Sequence, residues 1–67
     1  MQNKYIITKI KIEGKSKRKV TRTSKDLQSR VFSDNSKEDL TYYLAEELEK
    51  KNLTLLDITL RDVTPRD

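Results

Sequence analysis

A dense group of basic side chains in the first half of the chain is the strongest indication of chemistry in this sequence. Five of its members fall between positions 15 and 22, and they are Lys15, Lys17, Arg18, Lys19 and Arg22. Lysine and arginine at this density are typical of surfaces that bind phosphate groups, because like charges repel one another unless anions lie between them. We therefore expect these five residues to contact nucleic-acid phosphates.

The net charge changes sign along the chain. Residues 1–32 carry ten Lys or Arg and two Asp or Glu, for a charge of +8. Residues 33–67 carry five Lys or Arg and nine Asp or Glu, for a charge of −4. A basic half joined to an acidic half indicates contact with nucleic acid or another polyanion. The basic half has two aromatic residues, Tyr5 and Phe32, and so few stacking groups favour duplex backbone contact over the binding of single-stranded bases.

Catalytic chemistry is not indicated. The sequence contains no histidine and no cysteine, which supply many general bases, the thiol nucleophiles and the usual zinc ligands of proteins. Asp57 and Asp62 fall on opposite faces of a predicted strand, and the acidic stretch from Asp34 to Asp39 lacks the glycine of a calcium-binding loop. We therefore expect a non-catalytic binding module with no metal site and no cofactor.

A second candidate surface is acidic. A helix predicted over 37–51 carries an outward-facing tyrosine among carboxylates, and this set is Glu38, Tyr42, Glu46 and Glu49. Such a surface suits a basic protein partner, and the alternative hypothesis is a small inhibitor or regulator of a host protein. The second face of the sheet is predicted to carry the apolar residues Tyr5, Ile7 and Leu55. This face could therefore bind the partner instead, or pair two copies as a homodimer.

The basic group is expected at the tip of a β-hairpin. Alternating apolar residues predict a strand over 5–13, and β-branched residues predict a return strand over 17–24, joined by a loop over 14–16 that begins with Gly14. Residues 25–32 fit either an extended segment or a short helix. We favour the extended segment, because it continues the strand beyond a bulge.

The second half is expected to form a helix and a strand. Leucines at i, i+4 and i+8 predict the helix over 37–51, with Ser36 as its N-cap and Asn52 as its left-handed terminator. A last strand over 53–63 follows, and residues 64–67 are expected to form a frayed tail. The fold class is α+β, of order β-β-α-β: a three-stranded antiparallel sheet of order 2-1-3 with one helix on one face.

The predicted core joins the helix to one face of this sheet. Its members are Leu40, Tyr43, Leu44 and Leu48 of the helix and Ile6, Ile10, Ile12, Val20, Leu56, Ile58 and Leu60 of the strands. Its small size fits a single domain over residues 1–67. The start of the chain lacks a signal-peptide pattern and no apolar run approaches the ~18 residues of a membrane span, so we expect a cytoplasmic protein without membrane contact. The cysteine-free, Lys- and Glu-rich composition is common among phage and mobile-element proteins.

Overall fold

The computed structural model describes residues 2–65, which form three strands and two helices in a mixed α+β fold. In chain order these are β1 (Asn3–Glu13), α1 (Lys17–Gln28), β2 (Val31–Asp34), α2 (Lys37–Lys50) and β3 (Thr54–Asp62). The strands form one antiparallel sheet of order β2-β1-β3. The predicted sheet order is confirmed, as are the helix over 37–51 and the strand over 53–63 to within a residue at their ends.

The predicted hairpin is wrong, because residues 17–24 are helical and belong to α1. The second strand of the sheet is instead β2, which pairs with residues 3–6 of β1. Ile10 consequently lies opposite Ile58 of β3 rather than opposite Val20. The prediction of a single helix is corrected to two.

The extended interpretation of residues 25–32 is wrong for its first half. Residues 25–28 complete α1, as the helical alternative required, and the chain becomes extended only at β2. Val20 and Leu27 explain the difference, because they lie two helical turns apart and both pack on the core of the sheet. Their burial overrides the strand propensity of the valine and threonines in this segment.

Both helices lie on the same face of the sheet. α2 provides the centre of the core with Leu40, Leu44 and Leu48, which are 1–3% exposed. α1 provides the half-buried Val20 and Leu27, which pack beside these leucines. The predicted burial of Leu44 and Leu48 is confirmed, and the opposite face of the sheet has no helix on it within residues 2–65.

Two bulges determine which strand residues enter the core. The register of β1 against β3 shifts once at Thr8 and once at Leu56, and each extra residue turns the following side chains to the other face. Tyr5 and Ile7 before the first bulge therefore share the core face with Ile12 after it.

Several core predictions fail for this reason. Tyr5 and Ile7 are buried and Leu55 packs on the core, so these residues cannot form the docking face proposed for a partner or a homodimer. Ile6 points to the open face beside Val31. The extra residue of the second bulge, Leu56, is 49% exposed. The core prediction for Tyr43 fails for a different reason: this residue lies at the edge of the leucine stripe of α2 and is 51% exposed.

The turns that end β1 and α2 meet at one end of the molecule. Asn52 has a φ of 62°, as predicted for the terminator of α2. Gly14 does not have a positive φ; a Cβ atom there would overlap Cδ2 of the buried Leu53, so a larger residue would require the Leu53 side chain to shift. At the other end, the backbone N–H of Lys4 donates to Oγ1 of Thr64 at 2.9 Å, and residues 66 and 67 of the predicted tail lie outside the described residues.

No helix within residues 2–65 combines the length and the apolar character needed to cross a membrane.

Candidate nucleic-acid interface

The basic residues of the sequence lie on a helix rather than on a hairpin tip. Ser16 caps α1, and its Oγ accepts a hydrogen bond from the backbone N–H of Lys19 at 3.4 Å. The first turn of α1 has no acidic residue, although the partial positive charge of a helix N-terminus favours acidic side chains there. Lys17, Arg18 and Lys19 therefore raise an already positive potential at this end of the helix.

Three cations form a row on the solvent face of α1, and we call Arg18, Arg22 and Lys25 the basic crest. Their i, i+4, i+7 spacing places them on one side of the helix, opposite the Val20 and Leu27 that pack on the core. All three are exposed. The stretch from Arg18 to Lys25 rises by about 10 Å along the helix axis.

A shallow hollow of about 460 Å³ follows the basic crest. Every residue that lines it belongs to α1: Lys17, Arg18, Thr21, Arg22 and Lys25. A depression formed by the side chains of a single helix is open to solvent along its length. Its shape suits an extended anionic chain lying against the helix better than an enclosed small molecule.

The basic crest is free of carboxylate partners within the described part of the chain. The ion pairs of residues 2–65 are Arg30 with Asp26, at 3.0 Å, and Lys50 with Glu47, at 3.4 Å. Asp26 is the one acidic residue of α1, and Arg30 neutralises it. The positive charge of the basic crest is therefore available to an external anion.

Lys19 has a structural contact that the sequence did not indicate. Its Nζ donates a hydrogen bond to the backbone carbonyl oxygen of Lys51, at 2.8 Å. Lys51 follows the last residue of α2, where unpaired carbonyl groups attract cations. Lys19 therefore joins the start of α1 to the end of α2 and is less available to a phosphate than its neighbours.

The structure adds Lys25 and Lys51 to the basic surface. Lys25 completes the basic crest, and Lys51 lines a second hollow of about 370 Å³ together with Arg22, Thr23 and Asp26. The helical spacing of residues 18, 22 and 25 could have revealed Lys25 from the sequence. The approach of Lys51 depends on the packing of α1 beside α2, for which the sequence carries no local signal.

The remaining two members of the predicted basic group lie beside the basic crest. Lys15 is exposed in the loop that precedes α1, and Lys17 is the first residue of the helix. The structure therefore places all five predicted residues along the loop and the first half of α1. Within residues 2–65, the charged groups of four of them, Lys15, Lys17, Arg18 and Arg22, make no hydrogen bond or ion pair.

The predicted acidic surface lies on the solvent face of α2. Tyr42, Glu46 and Glu49 form a row that we call the acidic crest, and Glu38 extends it by one turn. Tyr42 is 69% exposed. A hydrogen bond from its hydroxyl to the Glu46 carboxylate, followed by the negative charges of Glu46 and Glu49, raises the pKa of Tyr42 above its ordinary value.

The sequence matches no protein-family model, and neither a curated protein nor a solved structure is significantly similar to the chain. The functional interpretation therefore rests on the geometry and charge of the two helices.

Proposed function

We propose that the protein is a non-catalytic nucleic-acid-binding module that contacts phosphate groups through the solvent face of α1. The observation that carries the proposal is the basic crest, in which Arg18, Arg22 and Lys25 share one helical face. No carboxylate within residues 2–65 is paired with any of the three. The proposal retains the predicted role of Lys15, Lys17, Arg18 and Arg22, whereas Lys19 is assigned to the contact between the helices.

Phosphate contact, rather than base stacking, fits the position of the aromatic residues. Tyr5 is buried and Phe32 packs on the core, and the two exposed tyrosines belong to the acidic helix α2. No aromatic ring within residues 2–65 therefore accompanies the basic crest. Binding through phosphates positions a protein on a duplex but reads little sequence, so we expect weak dependence on base sequence.

The length of the basic crest suits a few adjacent phosphates. Charges of one DNA strand repeat every ~3.4 Å along the helix axis, and the crest extends over about 10 Å. Three crest cations, with help from Lys15 and Lys17, therefore match about three to five phosphates. The corresponding slope of log affinity against log salt is about −3 to −4.

Removal of the basic crest provides the test. The Arg18→Ala, Arg22→Ala, Lys25→Ala triple variant should bind duplex DNA more weakly and should flatten the salt slope by about two to three units. Fluorescence anisotropy over a range of salt concentrations measures both quantities. Alanine favours helix at exposed positions, so circular dichroism should report a helix content at least equal to that of the parent.

A matched variant separates this site from diffuse positive charge. Lys4, Lys9 and Lys11 are exposed lysines of β1, and replacing all three by alanine removes the same charge from another surface. This control should retain most of the affinity and of the salt slope. Absence of binding at low salt, or equal losses in the two triple variants, would reject the basic crest as the binding site.

The alternative, a module that binds a protein partner, retains one of its two predicted surfaces. The sheet residues Tyr5 and Ile7 are buried, but the acidic crest is exposed and has an aromatic residue at its end. Recovery of a stoichiometric protein complex from nuclease-treated lysate, lost in a Tyr42→Ala variant but not in the basic-crest triple variant, would favour this alternative.

A further inference from the structure

The basic crest and the acidic crest have the same spacing. Arg18, Arg22 and Lys25 lie at i, i+4 and i+7 of α1, and Tyr42, Glu46 and Glu49 lie at i, i+4 and i+7 of α2. Each row faces away from the core residues of its own helix. The two rows therefore have equal length and the same orientation toward solvent, and three cations in one row match two carboxylates and a tyrosine in the other.

The structure also fixes the relative height of the two helices. The Nζ of Lys19 reaches the carbonyl of Lys51 at 2.8 Å, so the start of α1 lies beside the end of α2. Val20, near the start of α1, packs on the core cluster that contains Leu48, whereas Leu27, further along α1, packs on that cluster and also on the one that contains Leu44. The helices consequently run antiparallel on one face of the sheet, with Arg18 level with the end of the acidic crest nearest Glu49.

We propose that the solvent face of the two helices binds a second copy of this chain. The two copies pack with their helices facing each other, and a two-fold axis runs between them, parallel to the helices. This axis places α1 of each copy over α2 of the other. Arg18 then faces Glu49, Arg22 faces Glu46 and Lys25 faces the ring of Tyr42. Each contact occurs twice, so the contact is isologous and closes as a dimer.

The dimer places each charge beside a complementary group. The paired arginines and glutamates suit bidentate hydrogen bonds, and a lysine over a tyrosine ring forms a cation–π contact. The carboxylates that raise the pKa of Tyr42 mark the negative potential that would receive the basic crest. In the separate chain, no ion pair within residues 2–65 joins either row to a group of opposite sign.

The size and polarity of this surface indicate a weak, salt-sensitive dimer. The molecule extends 44, 18 and 15 Å along its principal axes, so its broadest side offers at most about 800 Å², the area that one partner contributes to a standard interface. Its contacts are mainly between exposed charges, which salt screens strongly. We expect the dissociation constant to rise about tenfold between about 25 mM and about 250 mM salt.

Charge reversal tests the dimer on nuclease-treated protein, without nucleic acid. Sedimentation equilibrium should give a dissociation constant at least about tenfold weaker for Arg22→Glu and for Glu46→Arg, because each substitution places like charges in contact at two positions. The double variant with both substitutions should recover the affinity of the parent to within about threefold. Lys9→Glu makes the same charge change as Arg22→Glu on β1 and should leave the dimer unchanged.

The contrary outcomes are distinct. A parent protein that remains monomeric up to about 1 mM in low salt overturns the proposal, as does a dimer that Glu46→Arg leaves intact or that Lys9→Glu weakens equally. Arg22 and Glu46 are both exposed, and circular dichroism of each variant verifies folding. A milder variant, Glu46→Gln, removes the charge without reversing it and should give an intermediate loss of affinity.

The dimer covers the basic crest, so a second copy and a nucleic acid would compete for this surface. The competition rests on the proposed function, whereas the dimer itself does not. Failure of the two proposals is distinguishable, because Glu46→Arg should abolish the dimer while preserving or strengthening DNA binding. A parent that dimerises without binding DNA would retain the dimer and reject the nucleic-acid proposal.

Discussion

The two helices of this protein have similar lengths and the same N-cap residue type, yet they are stabilised differently. α2 has three leucines buried to 1–3% exposure, whereas α1 has no buried residue. α2 has acidic residues in its first turn and a lysine in its last, as the helix dipole favours, whereas α1 has only basic charge in its first turn. The first helix is held to the sheet mainly by Val20 and Leu27.

This difference supports the proposal that α1, rather than α2, is the helix that binds nucleic acid. The sequence of α2 is consistent at every level with a stable helix, in its cap, its end charges and its apolar stripe. The sequence of α1 departs from that consistency through the positive charge near its start, which costs stability and is not required by the core. Such departures are expected at functional sites, and in α1 the departure includes Arg18 of the basic crest.

The largest expected effect is on the free energy of unfolding, which should fall more when a leucine of α2 is truncated than when a leucine of α1 is truncated. Leu44→Ala should lower the free energy of unfolding by about 2–5 kcal/mol, because it leaves a cavity in the centre of the core. Leu27→Ala should cost about 1 kcal/mol, because this side chain is only half-buried. Chemical denaturation of both variants measures the two costs. Equal costs would contradict the weaker attachment of α1 and remove this part of the comparison.

A smaller effect is expected from exchanging the charge at equivalent positions of the two first turns. Arg18 and Glu38 each lie two residues after the capping serine. Arg18→Glu should stabilise the fold by about 0.3–1 kcal/mol, and Glu38→Arg should destabilise it by a similar amount, because the helix N-terminus favours negative charge. Thermal unfolding at low protein concentration keeps dimerisation from contributing. Changes of the same sign in both variants would show that local contacts, rather than the helix dipoles, dominate.

The sequence predicts α2 well because its local signals agree, and it predicts α1 poorly because its local signals conflict. In α2, the cap, the end charges and three leucines all indicate the same structure. In α1, Val20 and the neighbouring threonines favour a strand, and the spacing from Val20 to Leu27 fits a bulged strand as well as two helical turns. Ser16 three residues before Lys19 was the available capping signal, but without an acidic residue at the third helical position it was weak.

The strand faces were mispredicted because each bulge adds one residue to the alternation. Tyr5 and Ile7 have odd numbers and Ile10 and Ile12 even numbers, yet all four turn toward the core face across the bulge at Thr8. The sequence contains this change of phase, but alternation alone does not give the position of the extra residue. The positions of the basic residues are visible in the sequence itself, whereas their helical arrangement and the contact of Lys19 with Lys51 required the fold.

The smallest expected effect concerns the potential at the acidic crest, which Tyr42 reports directly. The hydrogen bond to Glu46, and then the charges of Glu46 and Glu49, raise the pKa of this phenol above its ordinary value of 10.0. The protonated phenol is therefore favoured in the folded state, so its contribution to stability is complete below the ordinary pKa and is lost as the pH rises through the folded-state pKa.

NMR titration of the tyrosine ring carbons, at a protein concentration low enough to keep the chain monomeric, measures this pKa. Glu46→Gln should bring it back toward 10.0 and Glu49→Gln should lower it less, because Glu46 is the larger cause. A Tyr42 pKa that neither substitution lowers would show that the acidic crest lacks the negative potential needed to oppose the basic crest of α1.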